Sequence, residues 1–247
     1  MTVTIDGKAV ECQPGEFLLS VAERGGIHIP SLCNHDGLGG QGCCRVCIVE
    51  AETGGRRDIV AACVYPVERD CAFFTDSDRV RKLRRMVLAL LRDRSPDSEK
   101  ITRMCDEYGV AEYKRLAARD KGAKCILCGL CAKACESLGT GAISTVGRGA
   151  DKKVSTPFDE PALVCVGCGS CAAVCPTGAI EIEEDASTRT IWNKEFDLAQ
   201  CKRCGAAIGT AFELYRSANH AGAAPSVLCP ECKKKAPADV MAKTFAR

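Results

Sequence analysis

The chain has 247 residues, a formal net charge of +2, 46% hydrophobic residues, 5% aromatic residues and 20 cysteines. A charge this close to balance gives no electrostatic reason to expect nucleic acid as a partner. The start, MTVTIDGKAV, has neither a basic nor an apolar signal segment, and the longest apolar run, MVLALL at 86–91, is too short to span a bilayer. A cytoplasmic location is expected. There thiols stay reduced, so the cysteines are expected to serve as metal ligands rather than as a disulfide framework.

Residues 1–75 read as short strands with turn signals. TVTI, Asp6-Gly7 and KAVEC form a hairpin signature, because Asp-Gly suits a type I′ turn. Phe17, Leu18, Val21 and Ala22 recur at helical spacing, while CIVEA (47–51) and DIVAACV (58–64) read as strands. Between them lies Cys33-x10-Cys44-x2-Cys47-x15-Cys63. One loop would deliver three thiolates and a following strand the fourth. The glycines at 37, 39, 40 and 42 would let the backbone wrap closely and point N–H groups at sulfur. The first gap is longer than the C-x4-C-x2-C spacing of plant-type [2Fe–2S] proteins. Cys43 is a rival to Cys44, but only Cys44 keeps the x2 spacing to Cys47. Residues 37–42 also satisfy G-x-G-x-x-G, without the preceding strand and following helix that nucleotide binding requires.

Residues 76–122 read as a helical linker. Val80, Leu83, Val87, Leu90 and Leu91 form an apolar stripe, with Arg79, Arg81, Lys82, Arg84 and Arg85 on what is expected to be a solvated face. Ser95-Pro96 reads as the start of a second helix with Ile101, Met104, Cys105 and Tyr108 on its apolar stripe, and Gly109 as its stop.

Residues 123–185 hold two near-copies of one motif, KCILCGLCAKAC and VCVGCGSCAAVCP. The spacing C-x2-C-x2-C-x3-C, twice, is the two-cluster bacterial ferredoxin run, in which each fourth cysteine serves the other cluster. One [4Fe–4S] cluster is therefore expected on Cys125, Cys128, Cys131 and Cys175, and the second on Cys165, Cys168, Cys171 and Cys135. Glu136 stands where this motif commonly has proline. The last block, 195–247, carries Cys201-x2-Cys204-Gly205 and Cys229-Pro230-x-Cys232, a zinc-ribbon-like pair of knuckles suited to one tetrahedral S4 zinc site, or alternatively to a third [4Fe–4S] cluster. Cys12, Cys71 and Cys105 are expected as packed or free thiols, and His28, His35 and His220 match no ligand pattern.

Taken together, HIPSLCNHDGL, GCCRVCIVE, AACVYPV, TDSDRVRKLRRMVLALL and the two ferredoxin runs resemble the iron–sulfur module of complex I (its large iron–sulfur subunit), of the diaphorase small subunit of NAD-reducing hydrogenases, of iron-only hydrogenases and of NAD-dependent formate dehydrogenases. The resemblance covers 1 to about 183. It implies an α+β chain: an N-terminal β-grasp [2Fe–2S] ferredoxin domain, a helical linker and a two-cluster bacterial ferredoxin domain, followed here by the four-cysteine tail. It also implies a non-catalytic electron-transfer subunit working between a flavin- and NAD(P)H-binding subunit and a catalytic oxidoreductase subunit. A free-standing multi-cluster ferredoxin is the alternative. An iron–sulfur sensor would want a DNA-binding element, and the sequence offers none. The family commonly carries a further cluster held by one histidine and three cysteines after the linker helix. LRDRSPDSEKITRMCDEYGV has only Cys105, so that cluster is expected to be absent, and the catalytic domain of the longer relatives is expected on a separate subunit.

Overall fold

The computed structural model describes residues 1–111, 123–220, 222, 224 and 227–245, and for 217, 220 and 238–245 the backbone only. The stretch 112–122 of the expected linker lies outside the described residues.

The first unit is built on β1 (Thr2–Ile5), β2 (Lys8–Glu11), α1 (Leu18–Arg24), β3 (Ile48–Thr53), β4 (Arg56–Ala61) and β5 (Ala72–Phe74). Asp6 and Gly7 both take the left-handed backbone that a type I′ turn needs, so β1 and β2 pair tightly. The sheet order is β2-β1-β5-β3-β4, with β1 and β5 parallel and the other pairs antiparallel. The Asp6 carboxylate accepts from the backbone N–H and the hydroxyl of Thr75 at 2.8 and 2.5 Å, which locks the end of β5 to the first turn. Val3 and Ile5 of β1 are buried in one core with Leu18, Leu19, Val21 and Ala22 of α1. The result is a mixed sheet crossed by a helix.

The linker forms α2 (Asp78–Arg94) and α3 (Glu99–Glu107). Ser77 caps α2 by accepting from Val80 N–H. Two sequence expectations are corrected here. The second helix is capped by Ser98, which accepts from Ile101 N–H, while Ser95 closes α2 by donating its hydroxyl to Leu91 O. A serine serves either end of a helix, and only the packing of the two-helix corner decides which. The buried face of α2 is Val80, Arg84, Leu88 and Ala89, whereas Leu90 is 52% exposed. Arg84 is thus no part of a solvated face: at 2% exposure it donates to Val46 O, Ile48 O and Thr75 O at 3.0, 2.8 and 3.2 Å, and its guanidinium lies over the Tyr108 ring. Three backbone carbonyls outcompete water for a planar five-donor fork. Ile101, Met104 and Cys105 of α3 are buried, as their spacing predicts, and Gly109 follows the helix with φ of 59°.

The two ferredoxin repeats carry α4 (Leu130–Ser137) and α5 (Ser170–Ala173), separated by the hairpin β6 (Ser144–Val146) with β7 (Lys153–Ser155). A four-stranded antiparallel sheet follows in simple order: β8 (Glu183–Glu184), β9 (Thr188–Ile191), β10 (Lys194–Gln200) and β11 (Ala207–Thr210). It runs without a break across residues 186–194, between the two blocks assigned from sequence. Two helices, α6 (Ala211–His220) and α7 (Pro230–Phe245), complete the C-terminal part. Among the described residues no helix is long and apolar enough to cross a membrane.

Candidate metal centres

The loop from Cys33 to Cys47 and the short turn Ala62–Val64 bring four buried thiols together: Cys33, Cys44, Cys47 and Cys63. Gly40 is needed here, because a Cβ on it would collide with the carbonyl and Cβ of Cys63. Cys44 N–H donates to the Cys33 sulfur at 3.4 Å. The neighbouring thiols of Cys44 and Cys63 lower the pKa of Cys33, whose anion in turn raises theirs, and the proximity of Cys63 brings Cys47 down to about 7. Neighbouring thiols of this kind hold their protons unequally. Such a set is well suited to exchanging its protons for metal. Cys43 is exposed and turns away, its Sγ on Gln41 O at 3.3 Å. The glycine-rich 37–42 segment is part of this cysteine loop. His35, also exposed, accepts from Gly37 N–H at 3.2 Å.

The eight ferredoxin-type cysteines line two cavities. One is walled by Cys125, Cys128, Cys131 and Cys175, the other by Cys135, Cys165, Cys168 and Cys171. The fourth cysteine of each repeat thus lies with the first three of its twin. Equivalent N–H groups point at the exchanged sulfurs, Ala142 N to Cys135 Sγ at 3.2 Å and Ala179 N to Cys175 Sγ at 3.3 Å. Burial pushes Cys128 up to about 11 and Cys131 up to about 12, so these thiols pay heavily to ionise unless a metal compensates. The charge of Cys33 also raises Cys128, and the two belong to one continuous buried core. The first thiol set and Cys128 of the first cavity thus share one core.

In the C-terminal part, the sulfurs of Cys201, Cys204, Cys229 and Cys232 all lie within 4.8 Å of one another, with Cys204 and Cys229 at 3.7 Å. Cys229 N–H donates to Cys201 Sγ and Cys232 N–H to Cys229 Sγ, at 3.3 and 3.4 Å. The first of these bonds holds Cys201 down to about 6, while burial pushes Cys232 up to about 12. A tetrahedral S4 site with Zn–S near 2.3 Å has sulfur–sulfur edges of about 3.8 Å.

Sequence reasoning missed the residues that join this C-terminal part to the second cavity. Trp192 and Asn193, both at positive φ, form the tight turn between β9 and β10. The Trp192 indole lies against both cavities and sends its N–H to Cys171 Sγ at 3.5 Å. Lys194 Nζ caps the carbonyls of Ala162, Leu163 and Cys165, and Arg189 donates to Gly167 O at 2.8 Å. The Phe196 ring is seated on Gly167, where a Cβ would strike it. The one available signal was a lone tryptophan in a turn-forming Trp-Asn pair between two alternating segments.

Fold and sulfur chemistry together define a multi-cluster iron–sulfur protein. The 2Fe-2S iron-sulfur cluster binding domain matches residues 1–77, and two 4Fe-4S dicluster domains match 118–182 and 164–210. These iron–sulfur domains are similar to those of complex I subunits and NAD(P)-linked hydrogenases. It is 35% identical over 213 residues to the NADP-reducing hydrogenase subunit HndD of Solidesulfovibrio fructosivorans, covering 73% of this chain and 36% of that one. It is 31% identical over 216 residues to the NADH-ubiquinone oxidoreductase 75 kDa subunit of Reclinomonas americana, covering 78% and 31%. A crystal structure of NAD+-reducing [NiFe]-hydrogenase in the H2-reduced state superimposes with a TM-score of 0.55 at 28% identity, over 63% of this chain and 74% of that one. The chain spans about a quarter to a third of the length of the curated relatives it matches.

Proposed function

We propose that this chain is the electron-transfer subunit of a multi-subunit NAD(P)H-linked oxidoreductase, relaying electrons between a flavoprotein subunit and a catalytic subunit or a ferredoxin. In this reading Cys33, Cys44, Cys47 and Cys63 hold a [2Fe–2S] cluster. Cys125, Cys128, Cys131 and Cys175 hold one [4Fe–4S] cluster, and Cys165, Cys168, Cys171 and Cys135 the other. Bound there, such clusters supply one-electron redox chemistry, with plant-type [2Fe–2S] centres near about −400 mV. The observation that carries the reading is continuity. The first thiol set packs in the same buried core as Cys128 of the first cavity, and the two cavities share Trp192 as a wall. The donor sets therefore share packing rather than standing as three isolated sites. The protein's part is to hold the thiolates, aim N–H groups at their sulfurs and keep water out.

Cys201, Cys204, Cys229 and Cys232 are read as a structural zinc site. Their sulfurs converge on each other at single-ion spacing, whereas a cubane spreads its thiolates over four iron corners. Zinc here ties the α7 end of the chain to the β10–β11 knuckle and couples metal binding to folding.

The test is anaerobic purification of the native assembly. A flavoprotein and a catalytic subunit should co-purify, and the isolated chain should reduce a dye with NADH only after the flavoprotein is added. Turnover of NADH by the flavin-free chain alone would overturn the proposal, and recovery of the chain as a lone species from native extract would favour a free-standing shuttle.

A further inference from the structure

The two [4Fe–4S] sites arise from a duplicated motif, so most of their surroundings cancel in a comparison. The N–H groups of Ala142 and Ala179 are equivalent, as are the threonine hydroxyls near Cys135 and Cys175. What does not cancel is, in the first set, the Leu127 N–H on Cys125 Sγ at 3.4 Å and, in the second, what the β9–β10 hairpin contributes. Trp192 gives its indole N–H to Cys171, while Cys131, the equivalent sulfur of the first repeat, receives no side-chain hydrogen bond among the described residues. Two cations also differ. Lys194 sits on the carbonyl of Cys165 at 2.9 Å and has no carboxylate partner among the described residues, whereas Lys124, beside Cys125, is paired with Glu181 at 3.3 Å. Arg189 approaches Gly167 but is balanced by Glu184 and Glu213, so it acts by position rather than by net charge.

Reduction adds one negative charge to a thiolate-ligated cluster. A hydrogen bond to a ligand sulfur and a nearby uncompensated cation stabilise the reduced form more than the oxidised one. Both hairpin features act on the second centre, and together they outweigh the single Leu127 N–H on the first. We propose that Trp192 is a positioning residue that sets the two [4Fe–4S] centres apart in potential: its N–H to Cys171, with Lys194 beside Cys165, makes the Cys135/Cys165/Cys168/Cys171 centre the more easily reduced. This rests on the ligand sets of the preceding section. It makes the centre beneath the C-terminal sheet the electron sink of the two, and it gives that sheet, with its four-cysteine knuckles, a task beyond its own folding. The turn is held by strand pairing on both sides and by the Phe196 ring on Gly167, so the indole's place follows from the hairpin.

The experiment is an EPR redox titration of the full chain and of Trp192→Phe, which keeps an aromatic wall but removes the donor. In the wild type the two [4Fe–4S] signals should titrate at separate potentials. The variant should move the higher one downward and leave the lower one in place. Because the chain has a single tryptophan, a second measurement needs no mutation. Protein grown with indole-¹⁵N tryptophan should show a ¹⁵N coupling by pulsed EPR in the spectrum of the higher-potential centre. Two intact [4Fe–4S] signals with no ¹⁵N coupling, or equal shifts of both centres in Trp192→Phe, would overturn this proposal alone. A chain unable to hold two such clusters would instead overturn the ligand sets, and this proposal with them.

Discussion

Arg84→Met would retain much of the buried side chain's length and remove its five donors. Three carbonyls would be left without their partner, those of Val46 and Ile48 flanking Cys47 and that of Thr75 at the end of the sheet. Each buried carbonyl left unpaired costs roughly 1–3 kcal/mol. Part of that is recovered because a buried charge no longer needs to be desolvated. A net loss of about 3 kcal/mol is expected. With a guanidinium dependence of roughly 3 kcal/mol per M for a small domain, the unfolding midpoint should fall by about 1 M. The assay is anaerobic guanidinium titration followed by the [2Fe–2S] EPR signal, with the [4Fe–4S] signals as internal reference. Arg84→Lys should fall in between, since an ammonium lacks the planar fork that meets three acceptors. A midpoint for Arg84→Met equal to wild type, or a fall confined to the [4Fe–4S] signals, would refute the reasoning that this cation fastens α2 to the first cysteine loop.

Cys63→Ser should abolish the [2Fe–2S] signal and spare both [4Fe–4S] signals, whereas Cys43→Ala, at an exposed thiol turned onto Gln41, and Cys105→Ala, whose thiol packs on Leu88 O at 3.6 Å, should leave all three. Loss of the [2Fe–2S] signal in Cys43→Ala would exchange the roles of Cys43 and Cys44. Elemental analysis of anaerobically prepared protein should give about ten irons and one zinc per chain, and Cys229→Ser should lose the zinc while keeping the iron; about fourteen irons without zinc would replace the zinc site by a third [4Fe–4S] cluster. Asp185 is held down to about 2 from the ordinary 3.8 by the N–H groups of Ser187 and Thr188, so its support of the β8–β9 turn is complete above the ordinary value and lost as pH falls through about 2. Asp185→Ala should shift the Ser187 and Thr188 amide resonances at pH 7, and resonances unchanged by the substitution would contradict it.

The cysteine spacings were legible in the sequence because ligation by a loop is a local matter. Three thiolates separated by two residues can meet one centre whatever the rest of the chain does. The first hairpin was legible for the same reason, since Asp6-Gly7 admits the backbone of a type I′ turn without outside help. The serines at 95 and 98 could not be told apart, because both offer a cap and the helix corner chooses. Arg84 could not be read either. Helical spacing marked Leu83 for burial, yet the acceptors that draw Arg84 inward lie 36 and 38 residues away in the chain and exist only once β3 is in place. The same holds for Trp192. Its turn is local, but its indole meets Cys171 across 21 residues, after the sheet has folded back over the second repeat. The sequence alone grouped the cysteines that the fold brings near one another. Tertiary structure decided which donors and charges surround them, because those come from distant segments whose only mark in the sequence is an ordinary polar or aromatic residue.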